Sequence, residues 1–386
     1  MPVRSRSLDA GSAIRVQTCR SSARSDWSVI PTVISGPPPE GKRPAIVCAD
    51  CPVDSKDAFT VTPHRFADRS RPPVLLVTGP TASGKSGFAL NVARAYRGTV
   101  INADSMQVYR ELRVLSDRPT PADEAAVPHR LYGVLPASDP CTAERWRSWA
   151  LDAVAEAHEA GRLPILVGGT GLYLRAFLRG LAPVPDIPAD VRQRVRGLQH
   201  AAGPAGLRRA LLSEDPTMAA HLAPDDGQRQ ARALEVVRAT GRSLAAWQAD
   251  AHPACRDYDV LTLATLPPRG PLYRKIDDRL AWMVEHGGLE EVQELLDQGL
   301  SADLPALKAV GVPQLARYLR GEMSYSDALA KAQQATRQFA KRQLTWLRTQ
   351  TPKDADKAAI AYAQFSKSAQ AFFFNEIREC ILTAQP

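Results

Sequence analysis

No apolar run in the sequence approaches the roughly 18–20 residues that a helix needs to cross a bilayer, and none has the secretory pattern either. Cysteine is sparse. The six are Cys19, Cys48, Cys51, Cys141, Cys255 and Cys380, and only Cys48 and Cys51 stand close together. A C-x-x-C with no second ligand pair is a weak sign of zinc and reads as two thiols in a leader segment, and scattered thiols suit a reducing cytosol. No internal repeat is visible, which argues against a solenoid or propeller.

What is present is ordinary globular material. Hydrophobic residues make up 44% and charged residues 23% of 386 positions, enough to close a core without staples and to form two domains, or one with a large insertion. Lys and Arg number 49 against 41 Asp and Glu, a formal charge of +8. That surplus is compatible with nucleic acid without requiring it. The first 25 or so residues are rich in Arg and Ser and poor in acids. They loosely resemble a transit peptide, but read more simply as a disordered extension or an upstream start. Residues 1–71 show no sustained periodicity, and Pro37-Pro38-Pro39 argues for disorder across them.

The globular signal begins at Val74-Leu75-Leu76-Val77, a buried strand that runs into a glycine-rich turn. Ser86 to Tyr96 reads as a helix, Thr99-Val100-Ile101 as a second strand, and 142–160 as an alanine-rich helix with Trp146, Trp149 and Val154 inward. Pro164-Ile165-Leu166-Val167 is a third strand, followed by a helix to about Arg179. Strands alternating with helices imply an α/β fold with a parallel sheet covered on both faces. From 186 to 255 helical patterns follow one another without strand signals, as in a helical insertion. Tyr258 to Leu266 returns to the sheet. Residues 271–348 are helical, interrupted at Gly287-Gly288, Gly299 and Gly321, and the order of the 351–386 tail is open. The core is thus expected over 72–185 and 256–350.

The chemistry concentrates at a few turns. Gly79-Pro80-Thr81-Ala82-Ser83-Gly84-Lys85-Ser86 fits G-x-x-x-x-G-K-[ST] between a strand and a helix. Its backbone N–H groups, the helix N-terminus and the Lys85 charge suit a phosphate, and the Ser86 hydroxyl suits a magnesium ion bridging phosphate oxygens. The loop identifies phosphate, not ATP. Asp104 ends the second strand, where ligands bind in open α/β sheets. From position alone it can hold magnesium through water, accept a proton from a nucleophile, or cap a helix. Gly168-Gly169-Thr170-Gly171 is either a second close approach to ligand or a tight turn. Arg229 and Arg232 share a helix face and can reach phosphates or be merely solvated. Arg337, Lys341, Thr345 and Arg348 form a basic stripe on a helix that Phe339, Leu344 and Trp346 anchor.

Together these segments resemble the tRNA dimethylallyltransferase family, from Val74 to Arg348. The resemblance rests on GPTASGKS at 79–86, NADSMQVYREL at 102–112, PILVGGTGLYLRAFLRGL at 164–181 and DPTMAAHLAPDDGQRQARALEVVRATGRSL at 215–244. GGLEEVQELLDQGL at 287–300, LPALKAVGVPQL at 304–315 and TRQFAKRQLTWLR at 336–348 complete it. It implies a P-loop NTPase-like sheet whose phosphate loop, Gly79 to Ser86, holds dimethylallyl diphosphate with Mg2+ rather than ATP. The acceptor it implies is the adenine 3′ of the anticodon in tRNAs reading U-initial codons, flipped out of the anticodon loop. Asp104 matches the general base. Thr170 and Arg192 match residues near the tRNA and its channel and complete the implied catalytic set. Ser105, Met106 and Gln107 beside Asp104, Gln228, Arg229, Gln230, Ala231 and Arg232 in the insertion, Lys308 and Gly311, and Arg337 and Lys341 match tRNA-facing segments. Either Arg229 or Arg232 is expected to help stabilise the leaving diphosphate. A cytoplasmic monomer is the simplest expectation.

There are departures. Leu115-Ser116-Asp117-Arg118-Pro119 stands where many relatives carry G-T-A-K-P, Gly227 stands for Pro in a common P-Q-R, and Pro313 for Arg. A small-molecule kinase shares the strand, loop and helix, an isopentenyltransferase of free adenine nucleotides shares more, and a silent RNA-binding protein would keep only the basic helix. The segments at 164–181 and 215–244 give the kinase no support.

Overall fold

The computed structural model describes residues 59–61, 71–250, 257–354, 357–361 and 367–384. The disordered-leader reading and the Cys48–Cys51 pair therefore fall mainly outside the described residues. Within that leader, however, Phe59–Val61 form strand β1, which corrects the boundary drawn at 71.

β2 (Pro73–Thr78) leads through the phosphate loop into α1 (Lys85–Ala95), and β3 (Gly98–Asn102) ends at Ala103-Asp104. Two small elements had no counterpart in the sequence reading. α2 (Pro121–Ala126) starts at a reciprocal cap between Thr120 and Asp123, and β4 (His129–Arg130) pairs beside β3. α3 (Ala143–Glu159) begins where Thr142 Oγ accepts from the Arg145 N–H at 3.1 Å. β5 (Leu163–Gly168) and α4 (Gly171–Arg179) follow. Next come α5 (Ala189–Glu214), kinked at Gly203-Pro204, α6 (Pro216–His221), α7 (Gly227–Thr240) and α8 (Leu244–Ala249). β6 (Asp259–Thr265) re-enters the sheet, and α9 (Arg269–Met283), a wide turn over Val284–Gly288, and α10 (Leu289–Asp297) succeed it. α11 (Val312–Leu319) and the long α12 (Tyr325–Asp354) precede β7 (Lys357–Ala361) and α13 (Lys367–Ala384).

The sheet order is β1-β7-β6-β2-β5-β3-β4, with six strands parallel and β1 antiparallel at one edge. Alternation along β2 explains why both faces are buried. Val74 and Leu76 face a core shared with Trp146, Tyr173 and Phe177, while Leu75 and Val77 face Phe88, Val92, Phe373 and Ile377. The tail thus joins the fold. Phe373 and Phe374 lie 5.5 and 5.8 Å from the Phe88 ring, so α13 covers the sheet beside α1. Trp146 is fully buried as the pattern predicts. Trp149 is only partly buried, with the Arg145 guanidinium 4.6 Å over its ring. The helices between β5 and β6 carry apolar clusters of their own, built around Leu207, Leu211 and Leu234 and around Ile187, Val191 and Val236. No helix among the described residues is long and apolar enough to cross a membrane.

Candidate active site

Four turns meet at the carboxyl ends of neighbouring parallel strands: the loop after β2, Asp104 after β3, the glycine turn after β5 and Thr265 at the end of β6. This is where an open α/β sheet presents ligand groups.

The phosphate loop is built partly from residues that never face a ligand. Gly79, Pro80, Ala82 and Ser83 are buried, and Ala82 and Gly84 take left-handed backbone angles (φ 62° and 90°). Gly84 begins α1 with no side-chain cap, so the first N–H groups of that helix remain for an anion. The Thr81 N–H, by contrast, is already used. It donates to Gln343 Oε1 at 2.8 Å, and Gln343 Nε2 donates to the Gly169 carbonyl at 3.0 Å. Gln343, buried on α12, therefore ties the phosphate loop to the second glycine turn. A side chain on Gly169 would start 2.3 Å from that amide, and one on Gly168 would start 2.0 Å from the Ala103 carbonyl oxygen. The turn is glycine-rich because β3, the phosphate loop and Gln343 crowd its backbone. Close packing thus accounts for Gly168 and Gly169 without a ligand.

Lys85 Nζ lies 3.4 Å from the Pro80 carbonyl. Burial pushes its pKa below the ordinary 10.5, Asp104 opposes that shift, and Arg279 adds to it. Asp104 is held by its surroundings. Its N–H donates to Asn102 Oδ1 at 2.7 Å, and its own Oδ1 accepts from the Met106 N–H at 2.9 Å. Asn102 Nδ2 in turn reaches the Asp104 and Leu131 carbonyls, and Trp146 Nε1 donates to the Asn102 carbonyl at 2.8 Å.

A cleft of about 270 Å³ opens against this carboxylate. Of the residues expected at the site, Thr81, Asp104, Ser105, Met106 and Lys308 line it. Lys308 also reaches Asp303 at 3.0 Å. Thr170 stands behind it: its Oγ accepts from the Ser105 N–H at 3.0 Å, so it fixes the Asp104 loop rather than facing the cleft. Gln107 is likewise occupied, donating to the Ser116 and Asp117 carbonyls at 2.8 Å each. Ser86 lies exposed at the start of α1, outside the cleft.

Several expectations are corrected. Gln230 is fully buried, donating to the Ala223 and Pro224 carbonyls, and Ala231 is buried beside it; both hold the insertion together and present nothing to a surface. Arg229 is paired with Asp226 at 2.7 Å and Arg232 with Glu235 at 3.6 Å, and neither lines the cleft. Gln228 is exposed beside them, and Arg192 is exposed on the first turn of α5 and does not line the cleft. Arg337 does not join a free stripe, because it bonds Asp277 of α9 at 2.6 Å; Lys341 stays exposed. Gly311, at φ 99°, and Pro313 shape the start of α11. Phe339, expected as an anchor, instead lines the cleft with Arg342 and Thr336, while Leu344 is core.

Three cations line the cleft, Lys308, Arg342 and Arg279, and of these Arg279 reaches the phosphate loop. Its guanidinium bonds both Thr81 Oγ1 and the Asp117 carboxylate. Nothing local in α9 marks Arg279, one of many helical arginines. Asp117 takes a left-handed turn (φ 57°) to reach it, and Arg118 braces the same segment from the Tyr109 and Arg110 carbonyls. The unusual 115–119 segment is thus a well-bonded wall of the cleft. Glu291 of α10 adds to it by accepting the Arg113, Val114 and Leu115 N–H groups.

Fold and site together define a class: a P-loop α/β protein whose phosphate loop opens onto a cleft bearing a carboxylate and an arginine. Comparison with known proteins narrows it. A family model described as IPP transferase matches residues 107–350. The chain is 53% identical over 282 residues to the tRNA dimethylallyltransferase of Rhodospirillum centenum, covering 72% of this chain and 89% of that protein. It is 51% identical over 313 residues to that of Rhodospirillum rubrum, covering 81% and 96%. Among solved structures, the tRNA isopentenylpyrophosphate transferase of Bacillus halodurans superposes with TM-score 0.57 at 29% identity, over 81% of this chain and 98% of that one. A eukaryotic dimethylallyltransferase acting on tRNA shares the fold at TM-score 0.67 and 23% identity, over 80% of each chain. The chain belongs to the IPP transferase family.

Proposed function

We propose that this protein transfers a dimethylallyl group from dimethylallyl diphosphate to the exocyclic amine of the adenosine 3′ of the anticodon in tRNAs reading U-initial codons. The products are isopentenyladenosine and diphosphate. The observation that carries the reading is the cleft, in which Asp104 and Arg279 share one space with Thr81 of the phosphate loop.

The donor's diphosphate is taken by the uncapped start of α1 and Lys85, with Arg279 beside Thr81. These groups stabilise the charge that grows on the leaving diphosphate as the allylic carbon–oxygen bond breaks. Asp104 accepts the amine proton as the carbon–nitrogen bond forms. The Met106 N–H fixes the direction of the carboxylate before substrate arrives, and Asn102 holds the Asp104 backbone. The base leaves its stack to enter the cleft, as any enzyme working on a base edge requires. Magnesium fits as a companion of the diphosphate. Among the described residues no cluster of three His, Cys, Asp or Glu could hold an ion unaided, so Ser86 and the diphosphate oxygens themselves would hold it, and it would offset phosphate charge. The exposed Lys341 and Lys308 suit the RNA backbone.

The test is incubation of the protein with labelled dimethylallyl diphosphate, magnesium and unmodified tRNA, with AMP as an alternative acceptor and ATP as an alternative donor. Label in the RNA supports the reading. Label in AMP would reassign the acceptor, and phosphoryl transfer from ATP would reassign the class.

A further inference from the structure

Trp282 is 55% exposed, an unusual position for a side chain of that size, and it is not solitary. Its ring lies 4.3 Å from that of His286 with the planes 16° apart, a stacked pair on the outer surface. The His286 Nδ1 sits 2.7 Å from the Trp282 carbonyl, which fixes the imidazole in place. The pair adjoins the cleft. Arg279 and Met283, which flank Trp282 on α9, both line it. The turn that follows His286 packs on the cleft wall, with Gly287 against Val114 and Gly288 against Leu115. On an α-helix Arg279 and Trp282, at i and i+3, share a face, so the aromatic pair continues the rim beyond the arginine.

We propose that Trp282 and His286 form a stacking platform for an unpaired base of the RNA, next to the base that enters the cleft. This rests on the reading of the protein as an RNA prenyltransferase. Unpaired loop bases are held by aromatic faces, and a flat pair stiffened by a hydrogen bond loses little freedom when a base lands on it. The local charge supports stacking over phosphate contact. Glu285, exposed and adjacent to His286 in the sequence, would repel a phosphate but is indifferent to a base face. The platform therefore contributes affinity that does not depend on salt, unlike Lys341.

The test measures the Kd of an unmodified anticodon stem-loop for wild type, Trp282→Ala, Trp282→Phe and Lys341→Ala, each at two salt concentrations. Trp282→Ala is expected to weaken binding about 5- to 150-fold, the range seen for losing one base–aromatic stack, with the salt slope unchanged. Lys341→Ala should reduce the slope by about one. Trp282→Phe should recover most of the affinity, and the KM for the prenyl diphosphate should stay at the wild-type value in all three. Thermal unfolding of Trp282→Ala should match wild type, because the ring is exposed. An unchanged stem-loop Kd in Trp282→Ala overturns the proposal. So does a change of oligomeric state in that variant without loss of RNA affinity, which would assign the face to a second copy of the chain. The Kd ratio is read whether or not the wild type prenylates the RNA, so failure of the reaction assignment is seen separately.

Discussion

Gln343 offers the sharpest prediction about how the site is held. It is 5% exposed and makes two hydrogen bonds across the site, one from the Thr81 N–H at 2.8 Å and one to the Gly169 carbonyl at 3.0 Å. Gln343→Met keeps the approximate volume and removes both bonds, leaving a donor and an acceptor without partners in a crowded interior. Each such group costs about 1–3 kcal/mol, so unfolding free energy should fall by about 2–6 kcal/mol. Gln343→Glu retains the acceptor for Thr81 and loses the donor to Gly169. The single unmet group is worth about 1–3 kcal/mol, and the buried charge adds to it. Freed from its tie, the Thr81 segment no longer sets the spacing between the phosphate loop and Asp104. The KM for the prenyl diphosphate should therefore rise in the folded fraction while stem-loop affinity stays close to wild type. Urea denaturation gives the stability, and initial rates with each substrate varied give the rest. A Gln343→Met protein within about 0.5 kcal/mol of wild type and with an unchanged KM would refute the reasoning.

Other outcomes follow from the same geometry. Asp104→Asn keeps an Oδ1 for the Met106 N–H, so the fold should persist while kcat falls by about 10²–10⁴ and tRNA affinity holds; wild-type turnover would remove Asp104 from the proton-accepting role. Lys85 binds the diphosphate in its protonated form and its pKa lies below 10.5, so affinity should decline as pH rises through that lowered value. Binding should take up protons there, and calorimetry in buffers of differing ionisation enthalpy would contradict this by showing release. Gly168→Ala places a methyl 2.0 Å from the Ala103 carbonyl oxygen, and because the neighbour is backbone the cost should exceed the usual 1–3 kcal/mol or so of overpacking. Thermal unfolding close to wild type would count against that crowding.

Much of this was legible in the sequence because it is local. The phosphate loop, the strands at Val74, Thr99 and Pro164, and the alanine-rich helix each announce themselves within a few residues. The Gly287-Gly288 break is equally plain, since φ at Gly287 is 103°. The outer strands were not. Lys357–Ala361 is a five-residue stretch with three alanines, of low strand propensity, and becomes a strand by pairing with β6. Among the described residues, Phe59–Val61 pairs only with that strand. The site shows the same division. Asp104 and Lys85 are marked by motif, whereas Gln343 and Arg279 reach Thr81 across 262 and 198 residues of sequence through the packing of α12 and α9. Arg229 and Arg232 looked better placed for the leaving group because they share a helix face near a recognisable motif. Periodicity could not show that Asp226 and Glu235 hold them locally, or that neither of them lines the cleft.

The most direct measurement is nucleoside analysis of an anticodon stem-loop after incubation with the protein, magnesium and dimethylallyl diphosphate, beside a stem-loop whose adenine 3′ of the anticodon is replaced. Isopentenyladenosine in the first and none in the second is the predicted result. Unmodified adenosine in both, from protein shown to be folded, or equal modification of both, would contradict the account.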